Sequence, residues 1–157
     1  YRRFIYEKTD QPIYYFGFGS NLDPDRLRER IGGWSGTVKG TLPDFRLTFN
    51  KKASFDDCLY ANIVTGLEGK DVPVVGYGVN QEAIEKLDWQ EGVPYHYIRT
   101  VLPMRTESGE ELLGWAFLAN PDMVIRGGKV SDQYHQHLVR GYEFHGLGKL
   151  ETFVCKY

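Results

Sequence analysis

Between Ile13 and Ile31 an apolar segment runs into a glycine turn and then into a helix start, and this step constrains the fold more than any other part of the chain. Ile13, Tyr14, Tyr15, Phe16 and Phe18 are β-branched or aromatic, as a pleated, half-buried strand favours. Gly19-Ser20-Asn21 ends that strand at about residue 18. Asp23 then stands as an N-cap with Pro24 at the first helical position, so a helix is predicted over about 23–31, closed by Gly32-Gly33. In such a step, free backbone N–H groups and the positive end of a helix dipole converge on one spot. The segment is therefore expected to form an anion cradle, with Gly17 and Gly19 letting a ligand approach the backbone.

The rest of the chain supplies short strands with few helices between them. Alternation from Gly36 to Asn50 reads as a bent strand pair interrupted at Pro43-Asp44, followed by a polar loop over 51–57. Strands are expected over 59–65, 72–79, 95–104 and 111–118, the last two joined by a Ser108-Gly109 turn, with a charged turn over 66–71. Asn80 caps a helix over about 81–87, and Ser131 caps another over about 132–144 that Gly146 and Gly148 end. Residues 1–11 read as an arm or edge element, and 150–154 as a short last strand. Strands that follow one another without helical crossovers predict an α+β fold: a small curved mixed β-barrel with flanking helices.

At 157 residues the chain fits one domain, 1–157. No apolar run is long enough for a membrane helix, and no signal-peptide pattern is visible, so the expected location is the cytoplasm with no membrane partner. The 19 basic and 21 acidic side chains give a net charge of −2, which offers no electrostatic reason to bind nucleic acid. Cys58 and Cys155 lack metal-ligand spacing and are expected as reduced thiols, with a single disulfide left open. No metal or other cofactor is expected. His135 and His137, at i and i+2 on a helix, point to different faces and do not chelate together.

The second informative stretch is Leu87-Asp88-Trp89-Gln90-Glu91-Gly92-Val93-Pro94-Tyr95. A loop glutamate framed by Trp89, Val93 and Tyr95 would be desolvated, and desolvation raises a carboxylate's pKa toward that of a useful general base; the alternative reading is a solvated loop carboxylate, as most loop glutamates are. Trp34, Trp89 and Trp115 read as core or pocket wall. Arg99 and Arg105 on a strand read as solvated or paired, with a substrate carboxylate as the alternative. Arg26, Arg28 and Arg30 read as an exposed helix face, and Arg126 to Lys129, with its two glycines, as a mobile loop near the pocket and a candidate lid.

Phe18-Gly19-Ser20-Asn21-Leu22 resembles the Tyr-Gly-Ser-Asn-Leu signature of the γ-glutamylcyclotransferase family, in the AIG2-like superfamily, with Phe18 lacking the hydroxyl. Leu87-Asp88 to Glu91-Gly92, and Ser131-Asp132-Gln133-Tyr134 opening the last helix, are similar to two further family patterns in the same order. The resemblance implies the family's barrel and its reaction, the cyclisation of a γ-glutamyl amino acid or amine to 5-oxoproline with release of the amine. It places the catalytic glutamate on Glu91 as general acid/base. Asp88 becomes a helix-end cap. Substrate binding falls on Tyr15, Phe16, Gly17, Phe18, Gly19, Ser20 and Asn21, and Tyr134 closes the pocket. The implied partner is a small γ-glutamyl molecule, and the protein is expected as a monomer or homodimer. Two alternatives stand beside this reading. One is a superfamily enzyme with a different acyl partner, a γ-glutamylamine or an isopeptide. The other is a non-catalytic binding module, which a solvated Glu91, or a Glu91–Arg99 ion pair, would favour. The glutathione-specific branch fits less well, because its pattern has Leu where this chain has Asn21.

Overall fold

The computed structural model describes residues 13–54, 57–65 and 70–151. Five strands close a barrel in the order β1 (Ile13–Gly17), β5 (Asp71–Val79), β2 (Thr37–Pro43), β6 (Tyr97–Thr106) and β7 (Glu111–Ala119). All neighbours are antiparallel except β1 and β7, which meet in parallel at Tyr15 and Trp115. The fold is the α+β, mixed-barrel architecture that the strand pattern predicts.

The barrel is narrow, and its sequence shows how it closes. Alternate residues of each strand face opposite sides. Phe16, Val74, Met104 and Ala116 turn to one side and join one core cluster. Tyr15, Val75, Tyr77 and Phe117 turn to the other and join a second cluster with the helices. The inner set has room because Gly114 stands where any Cβ would run into the ring of Phe16. Phe16 is 1% exposed, so this pairing of a large ring with a missing side chain fills the lumen.

Three helices flank the barrel: α1 (Pro24–Ile31), α2 (Gln81–Gln90) and α3 (Asp132–His145). Each begins at a capping side chain: Asp23 accepts from Asp25 N–H, Asn80 from Ala83 N–H and Ser131 from Tyr134 N–H. A 3-10 turn, Ser20–Leu22, links β1 to α1. Gly141 lets α3 lie directly on that turn, since a Cβ there would strike Leu22 and the backbone of Asp23.

Several expectations need correction. Residues 36–50 do form two strands, but they do not pair with each other. Asp44, at φ 66°, turns the chain out of the barrel, and β3 (Phe45–Lys52) pairs with β4 (Leu59–Thr65) in a separate hairpin. That hairpin consumes Lys51 and Lys52, which were expected in a polar loop. Helix α2 runs three residues past Leu87, and β6 starts at Tyr97 rather than Tyr95. The arm over 1–11 lies outside the described residues. So does most of the strand over 150–154; Leu150 and Glu151, which are described, are not in a strand. No helix among the described residues is long and apolar enough to cross a membrane.

Candidate active site

A cavity of about 670 Å³ opens between β1, the 3-10 turn, α1, the end of α2 and the β3–β4 hairpin. Glu91 is its acidic centre. The residue caps the C-terminus of α2, its N–H donating to Leu87 O at 2.8 Å, and Gly92 follows at φ 65°. Only glycine suits that place: the conformation is left-handed, and a Cβ would press on the ring of His96. The helix stop thus sets the Glu91 side chain into the cavity, where it is 17% exposed.

Asn21 Nδ2 donates to the Tyr15 hydroxyl at 2.9 Å and lies 3.4 Å from Glu91 Oε1. Arg30 reaches the same carboxylate oxygen at 3.4 Å. Burial pushes the Glu91 pKa up, and the opposing pull of Arg30, Arg26, Lys51 and the Asn21 amide does not cancel it. Burial, reinforced by Glu91, likewise holds Tyr15 protonated far above its ordinary range. Tyr134 is pushed up to about 12, chiefly by burial. Its hydroxyl accepts from Ala61 N–H at 2.9 Å, which fixes the ring against Tyr60 at a centroid distance of 4.8 Å.

Leu22 and Asp23 N–H groups close back on the Gly19 and Ser20 carbonyls at 3.0 and 3.1 Å. The opening N–H groups of the turn, Gly19 to Asn21, are those a short helical turn leaves for an incoming oxygen. The amide oxygen of Asn21 is buried and has no partner among the described residues. Arg26 Nε donates to Ser20 Oγ at 3.1 Å and brings a guanidinium to the same wall.

Of the residues expected at the site, Glu91, Tyr15, Phe16, Phe18, Gly19, Ser20, Asn21 and Tyr134 all line this one cavity. Gly17 does not; its Cα faces Tyr77, and a Cβ would crowd that ring. The cradle also differs from its expected form. The N-terminus of α1 is occupied by the carboxylate of Asp23, 1% exposed, which also binds His137 Nδ1 at 2.8 Å and Arg140 at 3.4 Å. Only the 3-10 turn faces the cavity.

The apolar frame expected around Glu91 is built only in part: Val93 packs against the core, whereas Trp89 edges the cavity at 87% exposure and Tyr95 is 75% exposed. The cavity that holds Glu91 is also walled by Tyr15 and Phe117 of the barrel and by Tyr134. Trp34 packs on Tyr77 as core, and Trp115 lies 4.4 Å under the Arg99 guanidinium. Asp88 lies inside α2 rather than capping it and pairs with Arg99 at 3.2 Å, pinning α2 to β6. Arg99 therefore does not pair with Glu91, and Arg105 is exposed away from the cavity. Lys129 bonds with Asp57 and Leu59 backbone groups, so the loop of 126–129 joins the root of β4 rather than the pocket. Among the described residues no His, Cys, Asp and Glu group is arranged to hold a metal.

Sequence reading missed the cations. Arg26 and Arg30 were expected on an exposed face, yet both line the cavity. Their i, i+4 spacing puts them on one stripe of α1, and that spacing was the available signal. Lys51 gave no signal. A bulge between Phe49 and Lys51 breaks the alternation of β3 and turns the lysine inward, to 2% exposure.

The AIG2-like family model matches residues 71–150. The chain belongs to the AIG2-like family. It is 26% identical to the Homo sapiens protein named γ-glutamylcyclotransferase over 142 residues, 88% of this chain and 74% of that one. Its fold matches a solved structure titled γ-glutamyl cyclotransferase with a TM-score of 0.75, at 23% identity over 94% of this chain and 91% of the other. A yeast γ-glutamyl cyclotransferase specific to glutathione shares the fold with a TM-score of 0.58, at 10% identity over 92% and 90% of the two chains.

Proposed function

We propose that this AIG2-like chain is a γ-glutamylcyclotransferase that cyclises a γ-glutamyl amino acid or amine to 5-oxoproline and frees the amine. The observation that carries the proposal is a buried Glu91 carboxyl meeting the Gly-Ser-Asn turn through Asn21. The similarity to the human γ-glutamylcyclotransferase supports the same reading.

In this reaction the substrate supplies its own nucleophile. The α-amino nitrogen attacks the γ-carbonyl, the C–N bond to the leaving amine breaks, and a five-membered lactam remains. The protein has three tasks. Glu91 takes a proton from the α-ammonium, whose reference pKa is roughly 8, and returns it to the departing nitrogen. Its upward shift narrows the gap between donor and acceptor. The walls of Tyr15, Phe18 and Tyr134 fold the glutamyl chain so that nitrogen and carbonyl meet, and such positioning is worth on the order of 7–11 kcal/mol in well-oriented cases. The N–H groups of the turn receive the oxyanion, while Arg26 holds the α-carboxylate. Arg30 keeps the Glu91 carboxylate aimed at the cavity. The buried Asn21 oxygen offers an acceptor for the α-ammonium.

A longer leaving group is favoured by one observation. Arg30, Trp89 and Gln90 belong both to the cavity and to a groove between α1 and α2, so the mouth continues along the surface. Glu91 is neither fully solvated nor paired with Arg99, the two arrangements that would strengthen the binding-module alternative.

The test is 5-oxoproline release from γ-glutamyl dipeptides, γ-glutamylamines and a γ-glutamyl isopeptide. Release from at least one member, with free amine in equal amount, is the expected result. No release from any member would remove the proposal.

A further inference from the structure

Lys51 is a charge that the proposed cyclisation chemistry does not use. It is 2% exposed, lines the cavity, and has no carboxylate within ion-pair distance among the described residues. Its ammonium donates to Lys52 O at 2.6 Å and to His96 Nδ1 at 2.8 Å. The rings of Tyr60 and Tyr97 flank it at 5.7 and 5.3 Å. His96 accepts at Nδ1, so its proton sits on Nε2, which faces Ser54 Oγ at 3.4 Å. Burial lowers the pKa of both Lys51 and His96. An ammonium has three donors, and two are spoken for. The third has no partner among the described residues, and Lys51, Tyr60 and Tyr97 all line the cavity.

A buried cation without a counter-charge is costly unless a ligand provides one. Glu91 is felt by Lys51 but spends its bonds on Asn21 and Arg30. Among the described residues no other negative charge meets Lys51, and a carboxylate on the substrate would supply one. The glutamyl head lies toward Glu91, the turn and Arg26 in the reading above. Lys51 comes from another element, the bulged end of β3, and so meets the other half of the molecule.

We propose that Lys51 is a specificity-determining residue that binds a carboxylate on the leaving amine, with His96 as its positioning residue. This rests on the proposed cyclisation and adds to it a choice of leaving group: amines that carry an acid over amines that do not. Ser54 and Tyr60 line the same end of the cavity and form the sides of this subsite.

Two substrates that differ only in that charge decide the matter: γ-glutamyl-alanine and γ-glutamyl-alaninamide. The wild-type protein should prefer the acid in kcat/KM by about ten- to hundredfold, the range of a charge-assisted hydrogen bond. The preference should lie mainly in KM. In Lys51→Met the ratio should fall to about one. Lys51→Gln serves the same purpose if the Met variant does not fold. His96→Leu should reduce the ratio in part. A wild-type ratio near one, or a ratio unchanged in the Lys51 variants, overturns the proposal.

Calorimetric binding of the same pair to Glu91→Gln, with and without the Lys51 substitution, separates this from the parent reading. Tighter binding of the acid through Lys51, without 5-oxoproline release by the wild type, keeps the subsite and removes the cyclisation. Release with no acid preference does the reverse.

Discussion

Asp23 and Glu91 are both withdrawn from water on the same side of the barrel, and their surroundings drive them in opposite directions. At Asp23 burial is outweighed by His137, the Asp25 N–H and Arg140, so its pKa falls below the ordinary 3.8. Around Glu91 burial wins over Arg30, Arg26, Lys51 and Asn21, and its pKa rises above 4.5. The difference lies in how deeply each carboxyl is desolvated, Glu91 far more than Asp23, and in the quality of the bonds that oppose it. Asp23 has a 2.8 Å contact to His137 and a capping N–H at 3.1 Å, whereas the contacts to Glu91 are both 3.4 Å. Close, well-aimed partners make an acid a structural latch. Loose partners beside a cavity leave it able to exchange a proton.

Their links to stability are opposite as well. The depressed Asp23 contributes stability above its unfolded pKa, near 3.8, and that contribution is lost as pH falls through its lower folded value. The raised Glu91 costs stability once pH rises from its unfolded value, near 4.5, past its folded one. A cavity that keeps such an acid gives up stability for reactivity.

The contrast can be broken from either side. The largest effect belongs to Glu91→Gln, which should keep the fold and ligand binding and lower kcat by about 10²–10⁴-fold. Circular dichroism with 5-oxoproline assays would check it, and wild-type turnover in the variant would remove Glu91 as the base. Gly141→Ala comes next. It should push α3 off the 3-10 turn, cost about 1–3 kcal/mol in urea unfolding, and weaken substrate binding because Ser20 and Asn21 shift with the turn. Asp23→Ala should cost about 1–2 kcal/mol at neutral pH, or roughly 2–8 °C in Tm, with a smaller penalty at acid pH where the latch is already protonated.

Arg30→Leu acts on the other acid. Arg30 pulls the Glu91 pKa down, so its removal should move the acidic limb of the kcat/KM profile to higher pH. A limb that stays in place would show that Arg30 does not govern the titration. The smallest effect is expected at Phe18→Tyr. Phe18 is 7% exposed within the core, and the Asn21 amide already gives an N–H to the Tyr15 hydroxyl, so kcat/KM should remain close to wild type.

How much of this was legible in the sequence depended on the range of the interaction. The strand–turn–helix at 13–31, the three caps and the barrel strands follow from local propensity and spacing, and the structure has them. Local pattern ends α2 three residues short, because Asp88 and Trp89 have the character of loop residues. In fact Asp88 is held within α2 by Arg99, from a different element. Arg26 and Arg30 share a stripe by their spacing, but nothing local says that an acid waits some sixty residues on, so the sequence alone suggests surface. Lys51 was not legible at all, because a bulge rather than a periodicity turns it inward. Grouping Tyr15, Asn21, Glu91 and Tyr134 into one site rested on family resemblance, and the structure brings all four to one cavity.

The most direct test of the contrast is a titration of the Glu91 carboxyl by ¹³C NMR, assigned by the signal missing in Glu91→Gln. The account predicts a midpoint above 4.5, moving higher in Arg30→Leu, while Asp23 in the same spectra titrates below 3.8. A Glu91 midpoint at or below 4.5 would contradict it, because the cavity would then hold the acid as an ion-paired carboxylate like Asp23 rather than as an exchanger of protons.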